Sequence, residues 1–342
     1  MHTSGVRTGT VLAVLVLALL CTIVLGITCG AVRIPLHSIV GAMFESHPLS
    51  PADRIILFDI RLPRILAAAM VGAALSAAGL LFQGLFRNPL ADPYVIGSSG
   101  GAVLGATIGL VLLPQLSWLG FGAVAVLAFT GSVVTIALVY SLARVGGTTQ
   151  VVTLLLAGFA VSTMLSYSSY FVEVLDSDYG LGLRVLAAWL HGSISTPEWK
   201  QLVILGLLLT CSLACAAILS HRLNTLALGD EYAQQLGVRV ERVRIAIILT
   251  GSLLAAVAVS LGGLIGFVGL IVPHLARLIA GPDHVRLLPI TVLTGASFLV
   301  LTDTLARTIL APSELPVGIL MAFVGGPFFL YLLRRTKRGY TV

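Results

Sequence analysis

An all-α, polytopic membrane protein with about ten transmembrane helices is the fold this sequence predicts, on three observations. Of the 342 residues, 58% are hydrophobic and only 10% are charged; a soluble domain carries about 25% charged residues. Mean hydropathy is +1.05, and apolar runs close to the ~20 residues of a membrane crossing recur along the chain. Gly97, Gly101, Gly105 and Gly109 fall every fourth residue on one helical face. That spacing costs about 1 kcal/mol per position in a helix in water, but in lipid it lets two helices approach backbone to backbone.

Each segment then has its own reason. The run 11–29 follows Arg7 and resembles a secretory signal. Its length and the want of a small-x-small cleavage site make it an uncleaved first span. The second segment, 62–82, is lined with small residues between Ala67 and Ala78. A turn of Arg87-Asn88-Pro89-Leu90-Ala91-Asp92-Pro93 separates it from the glycine ladder in the third, 94–113. Segments 117–143, 150–172 and 201–219 come next. The apolar run 245–280 is interrupted by Gly262-Gly263, which predicts two short helices, 245–261 and 264–280, hinged at that pair. Segments 287–309 and 316–333 complete ten. Two connections on one side, 33–60 and 173–200, are long enough to fold locally. On the other side only 220–244 is long, and the whole chain, 1–342, reads as one membrane domain.

Charge orients the bundle. With both termini cytoplasmic, 13 of the 20 basic residues fall in inner loops and tails and seven in outer ones, while five acidic residues lie inside and nine outside. This satisfies the positive-inside rule and requires an even number of spans. The basic excess therefore tracks the membrane, and nucleic acid is not an expected partner. Cys21, Cys29, Cys211 and Cys215 lie in or at the end of apolar segments. No CxxC or nearby histidine supports ligation, so no metal site is expected.

Nothing in the chain reads as an enzyme: it has no phosphate loop of the GxxxxGK[ST] type and no HExxH. Three places could carry function. In the inner loop, Leu223 to Gly237 reads as a short helix flanked by glycines. Asp230 and Glu231 complement its dipole, and Gly237 stands at a C-cap position. Leu226, Ala233 and Leu236 are expected to face the cytoplasm, and the acidic polar face suits a protein partner better than anionic lipid. On the outer side, Arg61 and Arg64 have no partner at favourable spacing, so they read as free forks for carboxylates of a soluble partner. Arg307 lies near them and is one turn from Asp303, with which it can pair. Third, Asn88 and Leu90, in the rigid two-proline turn, could form a constriction.

These features together resemble the permease family of type II ATP-binding-cassette (ABC) importers for iron-siderophore complexes, haem or cobalamin. The resemblance runs through Arg61-Leu-Pro-Arg64, Gly79-Leu-Leu-Phe-Gln83, Asn88-Pro-Leu-Ala-Asp-Pro93, Leu154-Leu-Leu-Ala-Gly158 and Leu228-Gly229. It continues through Ala233 to Gly237, Gly266-Phe-Val-Gly-Leu-Ile-Val-Pro-His274 and Glu314-Leu-Pro-Val-Gly318. It implies a cobalamin-permease-like bundle, a homodimer in the bacterial inner membrane, and a pathway at the subunit interface. Two ATPase subunits, which hold ATP and magnesium, would receive the 223–237 segment (Leu226, Leu228, Gly229, Asp230, Glu231, Ala233, Leu236 and Gly237) as a coupling helix. A substrate-binding protein would meet Arg61, Arg64 and Arg307 outside. Asn88 and Leu90 would form a cytoplasmic gate, and the glycine ladder would pack beside the pathway. A relative's second gate element, Thr-Ser, falls here on Val151 and Val152, so that role is not carried over. The chain itself would bind no cofactor.

Overall fold

A computed structural model describes residues 8–30, 32, 34–35, 39, 50–145, 148–174 and 186–337. Ten helices occupy the ten predicted segments: α1 (Thr8–Thr28), α2 (Pro51–Leu85), α3 (Ser98–Val111), α4 (Ala123–Ala143), α5 (Val151–Val174) and α6 (Trp199–Leu226). After a short surface helix, α7 (Asp230–Gln235), come α8 (Val240–Gly262), α9 (Val268–Ala280), α10 (His284–Thr308) and α11 (Val317–Lys337). Seven of the ten are long and apolar enough to cross a bilayer, and α3, α9 and the described apolar part of α11 are shorter. Among the described residues, the only strands are two two-residue hairpins, Ser117–Trp118 with Phe121–Gly122 and Arg144–Val145 with Thr148–Thr149.

The bundle is organised around α2. Its small residues bury on every side, with Ala67, Ala68, Ala74, Ala77 and Ala78 wholly enclosed, and it packs against α6, α8, α9 and α10. Small side chains allow that because backbones can close to contact without voids. α2 starts earlier than hydropathy predicts. Ser50 caps it by accepting from the Asp53 amide, and Pro51 occupies its first turn. A π-helical stretch, Ile56–Arg61, joins the two α-helical parts, with the Leu62 N–H bonded to Leu57 O. By contrast α1 and α5 are peripheral, with 6% and 17% of their apolar windows buried.

The predicted break at Gly262-Gly263 is present. α8 runs 23 residues to Gly262 and is not the short helix expected there, whereas α9 has only 13 residues, about 20 Å at 1.5 Å per residue. Gly263 takes φ +63°, and a β-carbon there would overlap Trp189 O. Non-helical backbone at membrane depth needs internal partners. Here Leu264 N–H donates to Trp189 O, Ser195 N–H to Leu261 O, and Gly318 N–H to Gly192 O, while the Gln83 amide donates to Gly269 O and Leu270 O at 3.2 and 3.3 Å. Residues 186–195 of the long 173–200 connection therefore pack back into the bundle.

Candidate functional site

The inner-loop helix forms as α7, and glycines set both ends. Gly229 at φ +120° and Gly237 at φ +79° adopt backbone conformations that L side chains rarely take. Its orientation differs from the expectation. Leu226 is the last residue of α6 and is 4% exposed, and Ala233 is wholly buried. The exposed apolar side chains are Leu228, Tyr232 and Leu236, at 63, 64 and 66%. The reason is continuation: α6 runs about two turns past its predicted apolar stretch, so Leu226 belongs to its inward stripe with Leu219 and Leu223. Asn224 fixes this helix end to α10. Its amide donates to Asp283 Oδ1 at 2.7 Å, and its Oδ1 accepts from the His284 N–H at 2.9 Å. The Asn224 hydrogen bond holds the Asp283 carboxyl below its ordinary range.

Asp230 faces the bundle. Its Oδ1 accepts from Arg87 at 2.7 Å and its Oδ2 from Arg244 at 2.9 Å. Arg87 also donates to Leu226 O at 2.6 Å. Arg244 continues to Thr149 O at 2.9 Å and Glu241 at 3.2 Å. Glu241 in turn accepts from the Thr149 hydroxyl and from Tyr140. The 87–93 turn, α7, the start of α8 and the residues leading into α5 are thus joined by one chain of polar contacts. Sequence reasoning missed Arg87, Arg244 and Glu241. Only the Glu241–Arg244 spacing of three was a local signal.

Within the turn, Asn88 is exposed and its Oδ1 accepts from Leu90 N–H at 2.9 Å, an Asx turn that fixes the relative positions of these two residues through the backbone. Asp92 does the same for Tyr94 N–H at 2.9 Å. Burial pushes the Asp92 carboxyl up to about 6.

The opposite end corrects the expectation of free arginines. Arg61 is 4% exposed, and its guanidinium donates to Ile27 O at 2.7 Å and to Val32 O. Arg64 reaches Asp303 at 3.1 Å and Glu314 at 2.7 Å. Arg307 pairs with Asp303 as its spacing predicts, at 3.0 Å, and is itself buried. None of the three is a free fork in this structure. The partners of Arg64 lie on or beyond α10, more than 200 residues away, where spacing rules cannot reach.

The glycine ladder is a seam inside one chain. β-Carbons at Gly101 and Gly105 would overlap the carbonyl oxygens of Gly131 and Leu127 on α4, and one at Gly109 would crowd Ala123. Gly97, with φ +93°, meets Gly158 of α5. His191 bonds Ala187 O through Nδ1 at 2.6 Å. Among the described residues no group of three potential metal ligands comes together.

Comparison with known proteins agrees with this architecture. The FecCD transport family model matches residues 15–335. The chain is 39% identical over 327 residues to an uncharacterized ABC transporter permease protein, YvrB, of Bacillus subtilis, covering 93% of this chain and 91% of the relative. It is 42% identical over 281 residues to the cobalamin import system permease protein BtuC of Halobacterium salinarum, covering 82% and 74%. Other relatives are named for hemin, Fe(3+)-citrate, iron(3+)-hydroxamate and molybdate. A solved chain described as an inward-facing metal-chelate type ABC transporter superposes with a TM-score of 0.83 at 31% identity, covering 96% of this chain and 99% of that one. Sequence and fold agree over nearly the whole length, and the chain belongs to the FecCD transport family, as a multi-pass ABC importer permease.

Proposed function

We propose that two copies of this chain form the membrane pathway of an importer that brings an iron-siderophore complex, or a related metal chelate, across the bacterial inner membrane. A soluble binding protein delivers the chelate outside, and two separate ATPase subunits, with ATP and magnesium, supply the energy inside. The observation that carries this reading is α7. It is a six-residue helix outside the spans that presents Leu228, Tyr232 and Leu236 to solvent while Asp230 holds it to the bundle. An exposed apolar patch on a surface helix tied to the bundle at one residue is what a protein partner would bury. The excess of arginine on this side supports placing it, and both termini, in the cytoplasm. Asn88 and Leu90, joined by their Asx turn, are the proposed inner gate.

Substrate choice follows the family's iron-chelate members. Cobalamin and haem are the alternatives, since relatives carry those names at similar identity. A carrier driven by an ion gradient would need a titratable group free to exchange inside the membrane. The strongest such residue, Asp303, has its two oxygens taken by Arg64 and Arg307.

The test is affinity purification of the chain from its native membranes in mild detergent, followed by native mass spectrometry. A complex of two permeases with two ATPases, retaining a ferric chelate mass, is the expected result. Tyr232→Asp with Leu236→Asp should abolish ATPase recovery while the permease stays folded. An intact permease dimer that carries no ATPase would overturn the reading.

A further inference from the structure

Deepening the importer reading, and resting on it, we propose that Asp230 is the joint that divides motion of the docking helix between two outputs. Arg87 carries it to the 87–93 turn, and Arg244 carries it to the foot of α5.

The geometry is specific. Asp230 stands in the first turn of α7, two residues from exposed Tyr232. Its two carboxylate oxygens take separate arginines from separate elements, Arg87 on Oδ1 and Arg244 on Oδ2. Neither arginine ends there. Arg87 also holds Leu226 O, the carbonyl at the end of α6. Arg244 grips Thr149 O, two residues before α5 begins, and Glu241 closes that branch onto the Thr149 hydroxyl. A shift of α7 therefore cannot leave both branches undisturbed.

Two further observations give the branches direction. Arg87 sits at φ +49°, a left-handed conformation that L residues rarely adopt, so its backbone has a relaxed alternative once the guanidinium is released. The second branch ends on α5, which after α1 is the least buried in its own chain of the seven long described spans, with Leu156, Phe159 and Tyr167 all exposed. A weakly packed helix is the element a small displacement at its foot can reorient. Asp230 is thus a positioning residue, acting through two arginines on two separate elements.

The experiment is hydrogen–deuterium exchange on the permease–ATPase complex in nanodiscs, with and without MgATP and vanadate as the probe. In the native chain the nucleotide-dependent change should appear in 230–236, 88–97 and 150–156 together. Arg87→Gln should reduce the change in 88–97 by about fivefold, the scale expected for a half-exposed charge pair, and leave 150–156 responding. Arg244→Gln should do the reverse, and Arg87→Lys should restore most of the lost response. An Arg87→Gln complex whose 88–97 response is undiminished would overturn the proposal. So would equal loss in both segments from either variant, because that is what general loosening gives. A native complex with no nucleotide-dependent change anywhere would instead overturn the importer reading beneath it.

Discussion

The two polar ends of this bundle use the same chemistry, a carboxylate shared by two arginines, in opposite surroundings. At the outer end Asp303 is 1% exposed, and its partners Arg64 and Arg307 are 11 and 6% exposed. At the inner end Asp230 and Arg87 are 43 and 47% exposed, and only Arg244, at 14%, is comparably enclosed. A buried triad resists change, because removing one member strands desolvated charges. A half-wet one is worth little in any single geometry and can be traded for water. The contrast assigns the outer end to holding α2 against α10, and the inner end to being moved.

Three measurements would break or sharpen that contrast. The largest effect is expected from Asp303→Asn, which leaves two buried cations without their shared anion and should cost roughly 3–5 kcal/mol. Asp230→Asn should cost about 1 kcal/mol or less. Thermal unfolding of both variants in the same detergent checks this, and equal losses would erase the distinction. Next is screening. Raising salt from about 0.05 to 0.5 M shortens the Debye length severalfold. Amide exchange should then quicken at 230–236 and stay unchanged at 300–307. Acceleration at both ends would mean water reaches the outer triad.

The smallest effect concerns Asp92, a partly buried acid beside the exposed Asn88. Its folded-state pKa, about 6, lies above the unfolded value. The folded protein therefore binds the extra proton first, and stability rises as pH falls from about 6 toward 4. Asp92→Asn should remove that slope and raise stability at pH 7. An unchanged pH profile would place Asp92 in water.

Much of this was legible in sequence, because lipid imposes a one-dimensional rule. All ten apolar segments became helices, and Gly262-Gly263 marked the one break. Hydropathy hid the beginning of α2, since Arg54, Asp59 and Arg61 look like loop residues. The short inner helix was legible from Gly229, Asp230 and Gly237. Its outward face was not, because Leu226 looked equivalent to Leu236 until α6 proved to run through it. The arginines failed for a different reason. Arg64 finds its anions 239 and 250 residues along the chain, and local spacing rules extend only one helical turn.

The π-helical stretch at Ile56–Arg61 has a consequence best put as phase. Each residue turns an α-helix by about 100°, so one surplus residue offsets everything before Ile56 by that angle from the face that Leu62 onward presents. The surplus is stabilised by absences. Pro63 has no N–H for Phe58 or Asp59, the Leu62 N–H has moved to Leu57 O, and the indole of Trp199 donates to Phe58 O at 3.2 Å. Deleting one residue between 56 and 60 would bring the helix back into step and swing the outer segment through a quarter turn or more. Point substitutions there would leave the angle untouched, so the aim of Pro51–Ile55 is set by a residue count and not by any one side chain.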